Sequence, residues 1–117
     1  MLDITIYGIK NCDTMKKAFK WLDENGVKYV FHDYKKGGAD LAVLKQAIKE
    51  HGWETVINRR GTTWRQLPDD IKTAMNNENA LKTAEENPSI IKRPLLIAEN
   101  KSYLGFAPQQ YSDLLLN

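Results

Sequence analysis

Ile4, Ile6 and Tyr7 sit in a short β-branched and aromatic run that Gly8 closes, which predicts a first strand. From Asn11 the pattern changes. Met15, Ala18, Phe19 and Leu22 fall at i, i+3, i+4 and i+7 with Lys16, Lys17 and Lys20 on the wet face, predicting an amphipathic helix that stops at Gly26. Lys28 to Tyr34 alternates, with Tyr29 and Phe31 on one side and Val30 and His32 on the other, and predicts a second strand before Gly37 and Gly38 break the chain. Leu41, Leu44 and Ile48 return to helical spacing between Asp40, a carboxylate at the positive end of the helix dipole, and Gly52. Two strands separated by a helix run parallel with a right-handed crossover, so the chain up to Gly52 reads as a βαβα unit.

Residues 53–88 show no strand run. Pro68 suits a first helical turn, Ile71, Ala74 and Met75 follow at helical spacing, and Leu81 and Ala84 extend it, predicting a helical insertion that ends at Asn87-Pro88. An apolar strand from Pro94 to Ala98, a polar turn at Glu99, Asn100 and Lys101, and a partner strand from Ser102 to Leu104 make a hairpin ended by Gly105. Pro108 opens a last helix whose Tyr111, Leu114 and Leu115 cover one face of the sheet. The class is α/β, in a single domain spanning residues 1–117.

Composition changes this picture little. The chain has 117 residues, of which 42% are hydrophobic and 27% charged, the profile of an ordinary globular domain able to bury its own core. Its net charge of +2 argues against nucleic acid or an anionic membrane as the principal partner. No apolar run approaches the roughly 20 residues of a membrane span, and no secretory leader pattern follows Met1, so a cytoplasmic location is expected. One cysteine makes an internal disulfide impossible, and with only His32 and His51 beside it no structural metal is expected.

That cysteine, Cys12, falls where the first strand gives way to the first helix. Unpaired amide groups and the positive end of the dipole favour an anion there, and basic neighbours such as Lys10 and Lys16 add to the effect, so a reactive thiolate is the chemistry to expect. Asn11 is a candidate N-cap or ligand-binding amide, while Asp13 opposes a neighbouring thiolate. A lone cysteine is more often a small buried hydrophobe, but the turn after a strand of a βαβ unit lies at the sheet edge where ligands bind. Arg59, Arg60 and Arg65 cluster around Gly61, and Lys92 and Arg93 precede Pro94; guanidinium forks suit oxyanions and carboxylates, against the commoner reading of a solvated charged face. Pro94 is a candidate for a cis bond. The two histidines and Trp21, Trp53 and Trp64 read as structural.

Three separated segments, Tyr7-Gly8-Ile9-Lys10-Asn11-Cys12-Asp13-Thr14, Asn58-Arg59-Arg60-Gly61 and Lys92-Arg93-Pro94-Leu95, resemble the glutaredoxin-coupled arsenate reductase family, which includes the Spx regulators, and most of all its YffB branch. The resemblance covers essentially the whole chain. It implies a thioredoxin-like fold with a central mixed four-stranded sheet, a helical insertion between the βαβα unit and the hairpin, and Cys12 as nucleophile. It also implies that Arg59 and Arg93 hold an oxyanion, that Pro94 is the cis-proline beside the site, and that Asn11 belongs to its neighbourhood.

Two departures from the family narrow the expectation. The position of a third family arginine reads Phe106, which removes a charge-assisted contact of roughly 1.5 to 3 kcal/mol from a bound arsenate. The second cysteine of many Spx proteins is Met15. The expected activity is therefore a glutathione-dependent thiol oxidoreductase acting through a mixed disulfide on Cys12. Glutathione is its co-substrate, no cofactor is bound, and glutaredoxin is a candidate partner. The alternatives are a regulatory module that binds RNA polymerase, and arsenate reduction coupled to glutathione and glutaredoxin.

Overall fold

The computed structural model describes residues 3–116. β1 (Ile4–Gly8) leads into α1 (Asp13–Glu24), and β2 (Val30–Asp33) into the single turn α2 (Tyr34–Gly37) and α3 (Leu41–His51). Four short helices follow, α4 (Trp53–Val56), α5 (Thr62–Arg65), α6 (Asp69–Thr73) and α7 (Asn77–Glu86), and then a 3-10 turn at Pro88–Ile90. β3 (Leu95–Ala98), β4 (Lys101–Leu104) and α8 (Pro108–Leu115) complete the chain. The strand order is β2-β1-β3-β4, with β2 parallel to β1 and the other two pairings antiparallel. This is the mixed sheet of a thioredoxin-like fold.

Alternation along β1 divides the core. Ile4 and Ile6 pack with Met15, Ala18 and Leu22 of α1 and Tyr111 of α8, while Tyr7 faces Leu44 and Ile48 of α3 and Ala80 and Ala84 of α7. The approach of α1 to the sheet is close. A Cβ on Gly8 would lie 2.5 Å from the Met15 sulfur, so Met15, where the resemblance implied a second cysteine in many Spx proteins, is here a fully buried packing group.

Local chemistry accounts for the departures from the periodicity. Tyr34 continues the β2 pattern in sequence but belongs to α2, because the Asp33 carboxylate accepts the Lys35 N–H at 2.9 Å and starts a turn. The insertion breaks into four pieces, since Gly61 and Pro68 cap α5 and α6 and the Asn76 side chain accepts from Asn79 N to start α7. The hairpin turn is shorter than expected. Glu99 and Asn100 both take positive φ, which closes the two strands in two residues, and Lys101 pairs with Ala98.

The two edges of the sheet differ. At β4, Ser102 gives its N–H to Glu50 at 2.9 Å and its carbonyl pairs with His51 Nε2 at 2.8 Å, while Gln46 bonds the Asn100 carbonyl, so α3 seals that edge. At β2, Val30 is 65% exposed. Among the described residues no helix is long and apolar enough to cross a membrane.

Candidate thiol site

Cys12 is itself the N-cap of α1, with extended backbone (φ −138°, ψ 131°), and Asn11 stands outside the helix, exposed. The sequence expectation of Asn11 as N-cap is therefore corrected by one residue. The Cys12 side chain makes no capping hydrogen bond, so the sulfur stands beside the first free amides of α1 and in the field of their dipoles. Burial works against the Cys12 thiolate most strongly. It is outweighed by the pull of the Met15 N–H, the Arg93 guanidinium with its charge and the Thr14 N–H on the thiolate, and the thiol falls below its ordinary pKa.

Arg93 is placed by a long-range contact. Ile57 and Ile91 form an antiparallel bridge, in which Asn58 N–H donates to Ile90 O and Lys92 N–H to Val56 O, both at 2.8 Å. That bridge draws the insertion against the segment before β3. Arg93 Nη1 then donates to Ser89 O at 2.8 Å, and Nε is buried without a hydrogen-bond partner among the described residues. The Arg93-Pro94 bond is cis, as the resemblance implied. Pro94 is buried, and its carbonyl accepts Gly105 N–H at 2.9 Å.

Two cavities meet at Cys12. One, of about 460 Å³, is bounded by Thr14, Lys92, Phe106, Ala107 and Gln110; the other, of about 300 Å³, by Asn11, Lys35, Thr62, Thr63 and Ser89. Cys12, Asn58 and Arg93 belong to both. The sulfur thus stands between two chambers, with cationic groups on each side.

Of the residues singled out from sequence, Cys12, Asn11 and Arg93 come together, and Pro94 lies behind them in the core. Arg59 does not line either cavity: its guanidinium sits over the Trp53 ring, 5.5 Å from the centroid, with Glu54 at 4.0 Å. Its side is taken by its neighbour Asn58, whose Oδ1 accepts Arg60 N–H at 3.1 Å. Arg65 is turned to the Arg60 carbonyl at 2.6 Å. Asn58, Lys35 and Gln110 carried no signal of their own in the sequence, although Asn58 heads one of the motifs. Phe106 does line the Cys12 cavity, its ring edge-on to Tyr111 at 4.8 Å. Both histidines are structural, His32 on the Gly38 carbonyl and His51 on Ser102.

Comparison with known proteins agrees with this architecture. The ArsC family model matches residues 7–114. The solved structure of a YffB protein superposes with a TM-score of 0.93 at 46% identity, covering 96% of this chain and 98% of the other. An uncharacterized protein of Haemophilus influenzae is 44% identical over 108 residues, 92% of this chain and 95% of its own length. The global transcriptional regulator Spx of Staphylococcus saprophyticus is 25% identical over 105 residues, 88% of this chain and 79% of its own. With nearly its whole length matched and the cysteine loop, the Asn58 turn and the cis-proline assembled at one edge of a thioredoxin-like sheet, the chain belongs to the ArsC family.

Proposed function

We propose that the chain is a glutathione-dependent thiol oxidoreductase working through a mixed disulfide on Cys12. The observation that carries this reading is a lowered thiol pKa at a cysteine open to two cationic cavities in a chain with no second cysteine. The thiolate attacks the glutathionyl sulfur of a mixed disulfide; the Cys12–S bond forms as the old S–S bond breaks, and the departing thiolate takes a proton from water. With no resolving cysteine, a second glutathione thiolate attacks the glutathionyl sulfur, returning Cys12 as thiolate and leaving with the first as oxidised glutathione. Glutaredoxin can replace the second glutathione. A reducing cytoplasm supplies both thiols.

The carboxylates of glutathione find Lys92 and Arg93 on one side of the sulfur and Lys35 and the Asn11 amide on the other. Arg59 joins them only by leaving the Trp53 face. Incubation of the reduced protein with oxidised glutathione, followed by intact mass measurement, is the test: one adduct is expected, lost in Cys12→Ser. Absence of an adduct, with an ordinary thiol pKa, overturns the reading.

The Spx relative supports a second reading, a regulatory module that binds RNA polymerase. Equal retention of polymerase from cell extract by the protein and by Cys12→Ser, with no glutathione adduct, would establish it over catalysis.

A further inference from the structure

A concavity separate from the Cys12 cavities, about 740 Å³, lies along β2. Its wall is aromatic: Phe19 stacks on Tyr29 at 5.7 Å and meets Phe31 edge-on at 5.0 Å. The topology gives this groove a direction. β2 runs parallel to β1, so Asp33 lies at the end where β1 passes into the Cys12 loop, and Tyr29, whose hydroxyl donates to Asp23 at 3.4 Å, marks the far end. Lys10, Lys16 and Lys36 line the groove against Asp23 and Asp33, leaving the lining net positive, and Lys35, beside Lys36, lines a cavity of Cys12. No carboxylate of the described residues pairs with any of these four lysines, whereas Asp33 is occupied by Lys35 N–H.

The backbone beside the groove is equally unsatisfied. β2 has a neighbour on one side only, and among the described residues no side chain bonds the backbone of Val30, Phe31 or His32. The β4 edge is sealed at Asn100 and Ser102 by Gln46, Glu50 and His51. A sheet that protects one edge and leaves the other beside an aromatic wall and unpaired lysines presents a site for strand addition, with main-chain bonds giving affinity and alternate side chains giving choice.

We propose that β2 receives, as a fifth strand, an extended acidic segment of the protein whose oxidised cysteine is delivered to Cys12. This rests on the thiol-exchange reading and names its substrate class, a protein–glutathione mixed disulfide, whose glutathionyl sulfur Cys12 takes as the protein's cysteine departs as thiolate. Alternate side chains of the incoming strand lie on Phe19, Tyr29 and Phe31, and its carboxylates meet Lys16 and Lys36.

The docking is tested apart from the chemistry, with ¹⁵N-labelled Cys12→Ser and a blocked octapeptide alternating glutamate with valine and containing no sulfur. The amides of Val30–Asp33 should shift and become protected from exchange. Lys16→Glu combined with Lys36→Glu should weaken binding about tenfold, and a peptide with lysine in place of glutamate should not bind. Shifts confined to the Cys12 loop, or no shifts, overturn the proposal. Concentration-dependent broadening of the β2 amides without peptide places a second copy at this edge and also overturns it. If oxidised glutathione forms the Cys12 adduct while β2 ignores the peptide, docking falls and exchange stands. If β2 takes the peptide and no adduct forms, delivery to Cys12 is overturned.

Discussion

Arg93 acts on Cys12 from a held position: its Nη1 is tied to the Ser89 carbonyl at 2.8 Å while the guanidinium stabilises the Cys12 thiolate. Arg93→Met keeps the apolar stem and removes the charge and the hydrogen bond. The thiol pKa should rise and alkylation by iodoacetamide at neutral pH should slow about three- to tenfold. Arg93→Lys, a point charge without the fork, should recover part of the loss. An unchanged rate would mean that the Met15 and Thr14 amides alone hold the thiolate.

The same shift makes stability depend on pH. Because the folded thiol ionises below its unfolded value of about 8.5, the native state binds fewer protons than the unfolded chain between the two values, and stability rises with pH through that window. The contribution is complete above the unfolded value and is lost as pH falls through the lowered folded one. Urea unfolding of the reduced protein and of Cys12→Ser, compared between neutral pH and about 9, should show the difference moving in favour of the cysteine form as pH rises. A constant difference would contradict a stabilised thiolate.

How far the site was legible follows from the range of the forces that build it. Cys12 at a helix start is a local fact, and strand-to-helix changes of period mark it within a few residues. The division of the core, with Ile6 in one layer and Tyr7 in the other, was not drawn from the sequence, because it needs the helices that cover each face of the sheet. Asn58 lies further out of reach. Its place beside the sulfur depends on Ile57 bridging Ile91 across the whole insertion, and no periodicity records a pairing between single residues so far apart. Arg59 shows the converse limit: the motif was visible, but which of two adjacent side chains turns inward was decided by Trp53 and Glu54 drawing the guanidinium outward. The turn at Tyr34 escaped because aromatic alternation outran the strand, and the Asp33 cap ended it.

Glu50 tests the sealed edge. It accepts both the Ser102 N–H and hydroxyl, and these bonds hold its carboxyl below the ordinary range despite opposition from burial. Ser102 is buried, so Glu50→Ala leaves an amide without its acceptor and should cost about 1 to 2 kcal/mol of unfolding free energy at neutral pH. Glu50→Gln retains a neutral acceptor and should lose less. Since the folded carboxyl is lowered, its contribution is present above the unfolded value of about 4.3 and disappears as pH falls through the folded one. Wild type should therefore lose its advantage over Glu50→Gln on acidification, as measured by denaturant midpoints.

Phe106 decides how the Cys12 cavity treats an oxyanion. Its ring occupies a wall where the resemblance places a guanidinium, and it packs edge-on against Tyr111, whose hydroxyl is buried without a partner among the described residues. Phe106→Arg should tighten arsenate binding by about one to two orders of magnitude, read as a lower KM in an assay supplied with glutathione and glutaredoxin. It also forfeits the aromatic contact, about 1 kcal/mol, seen as a lower Tm. The Tyr111 hydroxyl competes for the new guanidinium because an unpaired buried oxygen gains more from a donor than a solvated anion does. Phe106→Arg combined with Tyr111→Phe removes that competitor and should lower the KM for arsenate further than Phe106→Arg alone. If neither variant changes arsenate turnover, Phe106 is not what separates this chain from the arsenate reductases it resembles, and the missing charge must be sought at Arg59, held away on Trp53.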